Sequence, residues 1–169
     1  QNRITRAQYD LLIQAMAERK NIVIAGGTSS GKTTFAQAIL QEIAIRHPKD
    51  RIGILEDTPE IKVEFNDFFD FLTSKGDHKN PPYTLDDALF DSLRMTPDRL
   101  VVGEVRDSAA YTVMDAWNTG HNGGILTIHA NSPKLVLRRI HDLIRMRYEK
   151  GEFNSMIGDS VDIVVYMAK

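Results

Sequence analysis

The sequence predicts an α/β fold, a mostly parallel central sheet with helices packed on both of its faces. Three observations predict it. Apolar runs of strand length recur at 21–25, 51–56, 100–102, 125–128 and 161–167, and segments of helical period lie between them. Strands that alternate with helices pair side by side through helical crossovers, which is the parallel arrangement. The run at 51–56 is apolar between its ends rather than alternating, as a strand covered on both faces is.

The elements follow in order. Residues 5–19 carry Ala7, Leu11, Leu12, Ala15 and Met16 at helical spacing, with Thr5 as N-cap. The strand at 21–25 leads through a glycine-rich turn to a helix over 31–46, whose Phe35, Ala38, Ile39 and Ile43 are expected to share one face. Pro48 closes that unit. Residues 61–83 are less regular: Phe65, Phe68, Phe69 and Phe71 read as a strand or hairpin, and 75–82 as an exposed loop. Thr84 and Asp87 have capping-box spacing for a helix over 84–95. Another helix is expected over 108–118. Pro133 opens a last one, after Asn131 and Ser132, that runs to 148.

Composition sets the bounds. A chain of 169 residues suits one domain with a full hydrophobic core. Hydrophobic residues at 42% and charged residues at 26% are ordinary for a soluble globular protein. No apolar run is long enough to span a bilayer, and no signal peptide is visible. The chain has no Cys, which excludes a disulfide scaffold and Cys-ligated zinc and is compatible with a reducing cytosol. A net charge of −2 gives no support to a general nucleic-acid binder. Because the chain opens at Gln1 and runs almost directly into helix, it reads as an excised domain. On that reading 1–169 is a single unit, 1–20 its leading helix after a cut linker, and an upstream domain is absent.

The most informative stretch is Gly26-Gly27-Thr28-Ser29-Ser30-Gly31-Lys32-Thr33-Thr34, which fits G-x-x-x-x-G-K-[ST]. Ile22-Val23-Ile24 leads in and a helix leads out, the context in which this motif works. Its glycines let backbone N–H groups turn inward around phosphate oxygens, and the helix N-terminus adds unpaired donors and partial positive charge. Lys32 is placed to reach the β- and γ-phosphates, and the Thr33 hydroxyl to ligate Mg²⁺. Those features describe a site for a nucleoside triphosphate.

Hydrolysis needs a carboxylate beside the γ-phosphate to orient and deprotonate water. Leu100-Val101-Val102-Gly103-Glu104 supplies Glu104 at the end of a buried strand and looks like a Walker B strand. It departs from that pattern at Gly103, where an aspartate that helps to hold the metal is usual. The second acid then has to come from elsewhere. Glu56 ends the 51–56 strand at the rim where α/β sheets bind ligands, while Asp57 and Glu60 fit turn chemistry around Pro59 equally well. His129, at the carboxyl end of the 125–128 strand, can hydrogen-bond a γ-phosphate or its water, and His121 flanks the same strand. Arg106 follows Glu104 by two residues and serves either as a phosphate contact or as a structural ion-pair partner.

Taken together these segments resemble the secretion-ATPase family, the hexameric motors of type IV and type II secretion and of type IV pili. GGTSSGKTT is similar to its Walker A, ILEDTPEI to its Asp box, LVVGEVRD to its Walker B and TGHNGGILTIHAN to its His box. LEDTPE, LRMTPDRLVVGEVRD and AWNTGHNGG resemble the TrbB-like conjugal-transfer branch. The resemblance implies a RecA-like P-loop fold, ATP as substrate with Mg²⁺, Glu104 as general base, and Glu56 beside the metal through water. It implies that Gly103 is a family trait and that the His129 strand lies between the phosphate-loop and Walker B strands. A homo-hexamer at the cytoplasmic face of the inner membrane is implied too, working with secretion or pilus-assembly components and without sequence-specific nucleic-acid binding. Family members carry an N-terminal domain that contributes arginines to the nucleotide site.

Three other classes share parts of this pattern. A small P-loop kinase needs an arginine-rich lid, which is not recognisable here. A RecA-type nucleic-acid motor is disfavoured by near-neutral charge and a single Trp. A nucleotide-gated assembly module with little turnover shares the whole pattern. Lys134, Arg138, Arg139, Arg145 and Arg147 are expected opposite Leu135, Leu137, Ile140 and Ile144 on the last helix, where a basic face is solvated, meets a neighbouring subunit or meets anionic lipid.

Overall fold

A computed structural model of the chain describes residues 4–168; positions 1–3 of the expected leading segment lie outside the described residues. Helix α1 (Arg6–Ala17) starts at Thr5, whose side chain accepts from the Gln8 N–H while the Gln8 side chain returns the bond. Strand β1 (Ile22–Gly26) and helix α2 (Lys32–Arg46) flank the glycine-rich loop. Then come β2 (Ile52–Glu56), β3 (Phe68–Leu72), α3 (Leu85–Arg94), β4 (Arg99–Val105), α4 (Ala109–Asn118) and β5 (Ile125–His129). A 3₁₀ turn (Pro133–Leu135), α5 (Val136–Arg145), α6 (Asn154–Ser160) and β6 (Ile163–Met167) complete the chain.

The six strands form one sheet in the order β3-β2-β4-β5-β1-β6, and each of their pairings is parallel. Strand β5 lies between β1 and β4, as expected. Alternate residues feed two cores. On one face Ile22, Ile24, Ile52, Ile54, Val101 and Ile125 pack with Leu12 and Met16 of α1 and with Ala36, Ile39, Leu40 and Ile43 of α2. On the other, Val23, Leu55, Leu100, Val102 and Leu126 pack beneath α3, α4, α5 and α6. Each large aliphatic side chain so buried contributes about 1.5–3 kcal/mol, which locks α2, and the loop before it, onto the sheet.

Several expectations are corrected by packing. The buried stripe of α2 is Ala36, Ile39, Leu40 and Ile43, so Ala38 faces solvent; spacing of three and four residues selects those positions. Leu11 of α1 is exposed for the same reason. Of the strand or hairpin expected within 61–83, the strand is what forms: β3 is a parallel edge strand, and an isolated antiparallel bridge joins Ser74 to Tyr83. The last helix is shorter than 133–148, because a 3₁₀ turn precedes it and changes its phase. Val136, Ile140, Leu143 and Ile144 turn inward, while Leu135 and Leu137 stand exposed among the arginines. Helix α6 was not expected; Val161 ends it and delays the final strand to Ile163.

The amino ends of the strands are tied by polar side chains. Asn21 Oδ1 accepts from the N–H groups of Gly123 and Gly124, and its Nδ2 donates to the Ser160 carbonyl. Arg99, 2% exposed, pairs with Asp50 at 2.7 Å and donates to the Met16 carbonyl. No helix among the described residues is long and apolar enough to cross a membrane.

Candidate nucleotide site

At the carboxyl ends of β1, β2, β4 and β5 a cavity of about 560 Å³ opens above α2. A parallel sheet collects its strand ends on one edge, and the crevice beyond them is where such folds bind ligands. The loop from Gly26 to Gly31 forms its floor. Gly31 has φ of 92°, a left-handed conformation that a side chain resists, and this turn starts α2 without a side-chain cap. The first N–H groups of α2 are left for an anion.

Lys32 Nζ donates to the carbonyls of Gly26 and Gly27 at 3.2 and 3.0 Å, so its ammonium lies along the loop. The Thr33 hydroxyl donates to Glu60 Oε2 at 3.0 Å. Thr28 and Ser29 line the cavity. Thr34 is exposed and does not, and Ser30 is buried with a hydroxyl that has no partner among the described residues.

Glu56 is 6% exposed, and its Oε1 accepts from the backbone N–H groups of Glu60 and Ile61, both at 3.1 Å. Burial pushes its carboxyl above the usual glutamate range, while those two N–H bonds pull the other way. Glu56 thus holds the 57–61 turn, and that turn delivers Glu60 to Thr33. Asp57 lines the cavity as well, and its Oδ1 accepts from the Thr73 hydroxyl at 2.7 Å. Glu104 reaches the cavity and pairs with Arg106 at 2.7 Å, an interaction that raises the arginine's pKa. His129 Nε2 lies 3.1 Å from Thr28 Oγ1. His121 does not join this group. It follows α4 and precedes β5, so it sits at the amino end of the sheet, opposite the cavity.

The lining also includes residues that the sequence did not single out, Ala36, Ile61 and Thr127 among them. Thr127, 4% exposed, donates its hydroxyl to the Gly103 carbonyl. Its signal was a hydroxyl inside the apolar run ILTIH, two positions before His129 and therefore on the same strand face.

The type II/IV secretion system protein family matches residues 3–168. This chain belongs to that family. Within the family it is 44% identical over 164 residues to the conjugal transfer protein TrbB of Rhizobium radiobacter, covering 96% of this chain and 48% of that protein. It is 32% identical over 159 residues to the type IV secretion system protein VirB11 of Bartonella quintana (strain Toulouse), covering 91% and 44%. The crystal structure of the VirB11 ATPase of the Brucella suis type IV secretion system, in complex with sulphate, superposes with a TM-score of 0.83 at 28% identity, over 95% of this chain and 46% of that one. The pilus retraction motor PilT shares the fold, with a TM-score of 0.73 at 23% identity over 98% and 48%. The chain spans about half the length of the family relatives it matches. Its fold is the RecA-like P-loop fold that it shares with these structures.

Proposed function

We propose that this chain is the motor domain of a TrbB-like traffic ATPase, whose Mg²⁺-dependent ATP hydrolysis powers conjugative transfer or pilus assembly. The reading places it in a homo-hexamer, cytoplasmic and peripheral at the inner membrane, with an upstream domain that completes the nucleotide site. Its relatives among conjugal transfer and type IV secretion proteins support that setting. The observation that carries the chemistry is one cavity in which the phosphate loop meets Glu104, Glu60 and His129 from three other segments.

In this reading ATP lays its phosphates against the loop N–H groups and the N-terminus of α2, and Lys32 moves from the Gly26 and Gly27 carbonyls to the β- and γ-oxygens. The oxygen donors present fit Mg²⁺: the Thr33 hydroxyl with Glu60 against it, and Glu56 behind. Bound there, Mg²⁺ would neutralise charge on the β- and γ-phosphates. Glu104 orients the attacking water and accepts its proton as the water oxygen bonds to the γ-phosphorus and the bond to the β-phosphate oxygen breaks. His129, braced by Thr28, contacts the γ-phosphate.

The test compares Lys32→Ala with Glu104→Gln. The first is expected to abolish nucleotide binding. The second is expected to bind ATP and hydrolyse it at least about a hundredfold more slowly. Unaltered turnover in Glu104→Gln would remove the general-base role. A second reading, a nucleotide-gated module with little turnover, uses the same cavity and the same Lys32 and Thr33. Tight ATP binding without phosphate release in the full chain would select it.

A further inference from the structure

Strands β4 and β5 do not stay in step. Val101 lies opposite Ile125 and Val102 opposite Leu126, but the next pair is Val105 with Ile128. Two residues of β4, Gly103 and Glu104, thus face the single residue Thr127 of β5, which is a β-bulge. The side chains record the change of phase. Leu100 and Val102 belong to the core beneath α3, α4 and α5, and in an unbroken strand Glu104 would be the next residue on that side. Val105 takes that core position instead, 2% exposed, and Glu104 is released to the cavity.

A bulge disrupts the ladder and leaves backbone polar groups in need of other partners. Thr127 provides one. Its hydroxyl donates to the carbonyl of Gly103, the residue joined directly to Glu104, in a setting almost closed to water. Neighbours Leu126 and Ile128 are fully buried and fix the strand on which Thr127 stands.

We propose that Thr127 is a positioning residue for Glu104: by holding the Gly103 carbonyl it fixes the bulge that turns the Glu104 carboxylate into the cavity rather than the core. This rests on Glu104 being the group that acts on the attacking water. The Thr127 hydroxyl proton is committed to Gly103, so its influence reaches the reaction through the backbone of β4. Valine keeps the shape of threonine without the hydroxyl, and displacing a reacting group by about an ångström costs on the order of a hundredfold in rate.

The experiment uses the full chain and compares Thr127→Val, Thr127→Ser, Glu104→Gln and the Thr127→Val/Glu104→Gln double variant. Measured are kcat, KM for ATP, equilibrium binding of a non-hydrolysable ATP analogue, and Tm. Thr127→Val is expected to lose about tenfold to a hundredfold in kcat, with analogue binding and KM within about twofold of the unaltered chain. Thr127→Ser keeps the donor and is expected to retain most of the rate. The double variant is expected to be no slower than Glu104→Gln alone, because a residue that acts through another adds nothing once its target is gone. Thr127→Ala runs in parallel, so the comparison survives if the valine does not fold. Turnover of Thr127→Val within about twofold of the unaltered chain overturns the proposal. So does a full further loss in the double variant, which would show an effect independent of Glu104. Normal turnover in Glu104→Gln instead overturns the reading of Glu104 itself, and leaves Thr127 with nothing to position.

Discussion

Gly103 on β4 lies directly against the side chain of Glu56 on β2: a Cβ at position 103 would stand 2.9 Å from Glu56 Cγ and 3.3 Å from its Oε1. The missing acid before Glu104 therefore has a steric counterpart. The side chain of Glu56 occupies the space that a residue larger than glycine at 103 would need.

Gly103→Asp is expected to destabilise the chain by about 1–3 kcal/mol, the usual cost of forcing atoms into a filled space. Adding Glu56→Ala opens that space, so the double variant should lose less than the sum of the single losses. Denaturant titrations of the four chains check this, and strictly additive losses would show that the two positions do not press on each other.

At the other end of the sheet, Arg99 is buried and depends on Asp50, which also accepts from Arg19 at 3.0 Å. Asp50→Ala leaves a buried guanidinium without its carboxylate, and a loss of about 3–5 kcal/mol is expected. The pair lies far along β4 from Glu104. Nucleotide affinity of the folded protein should be unchanged, which equilibrium binding below the unfolding transition tests.

The Glu56 carboxyl is raised by burial, so folded protein binds its proton more tightly than unfolded chain does. Its contribution to stability is complete below the unfolded value, and it is lost as the pH rises through the higher folded value. Glu56→Gln carries no charge at any pH and should remove this part of the slope. Denaturation midpoints of both chains between about pH 4 and 7 decide the matter, and parallel curves would show an ordinary glutamate.

His129 sits opposite Gly26 in the β1–β5 register and touches Thr28 on the loop. His129→Ala is expected to bind ATP almost unchanged and to hydrolyse it about tenfold to a hundredfold more slowly, the equivalent of one hydrogen bond to a charged group. An equal loss in ATP affinity would assign the histidine to holding the nucleotide. Filter binding and phosphate release, measured on the same preparation, separate the two.

Legibility in the sequence followed the range of the interactions. Thr5 with Gln8 and Thr84 with Asp87 cap their helices through bonds three residues apart, so spacing alone was enough. The Phe-rich stretch was legible only as a strand or a hairpin, because the choice rests on parallel pairing of β3 with β2, which leaves Phe68 half exposed while Phe71 packs inward. Glu60 illustrates the same limit. Its role as a turn residue or as a partner for Thr33 depends on Glu56 gathering the N–H groups of 60 and 61.

By itself the sequence determined the glycine-rich loop, the strand before it and the helix after it, since these depend on local backbone geometry and short-range spacing. It also determined which acids and histidines end strands. Only the tertiary structure decided which of them meet. Strand order put Glu56 against Gly103 and His129 beside Thr28, and left His121 at the far end. One extra residue in β4 decided the facing of Glu104. Strand order and bulge phase are set by packing between distant segments, whose energies no local window of residues contains.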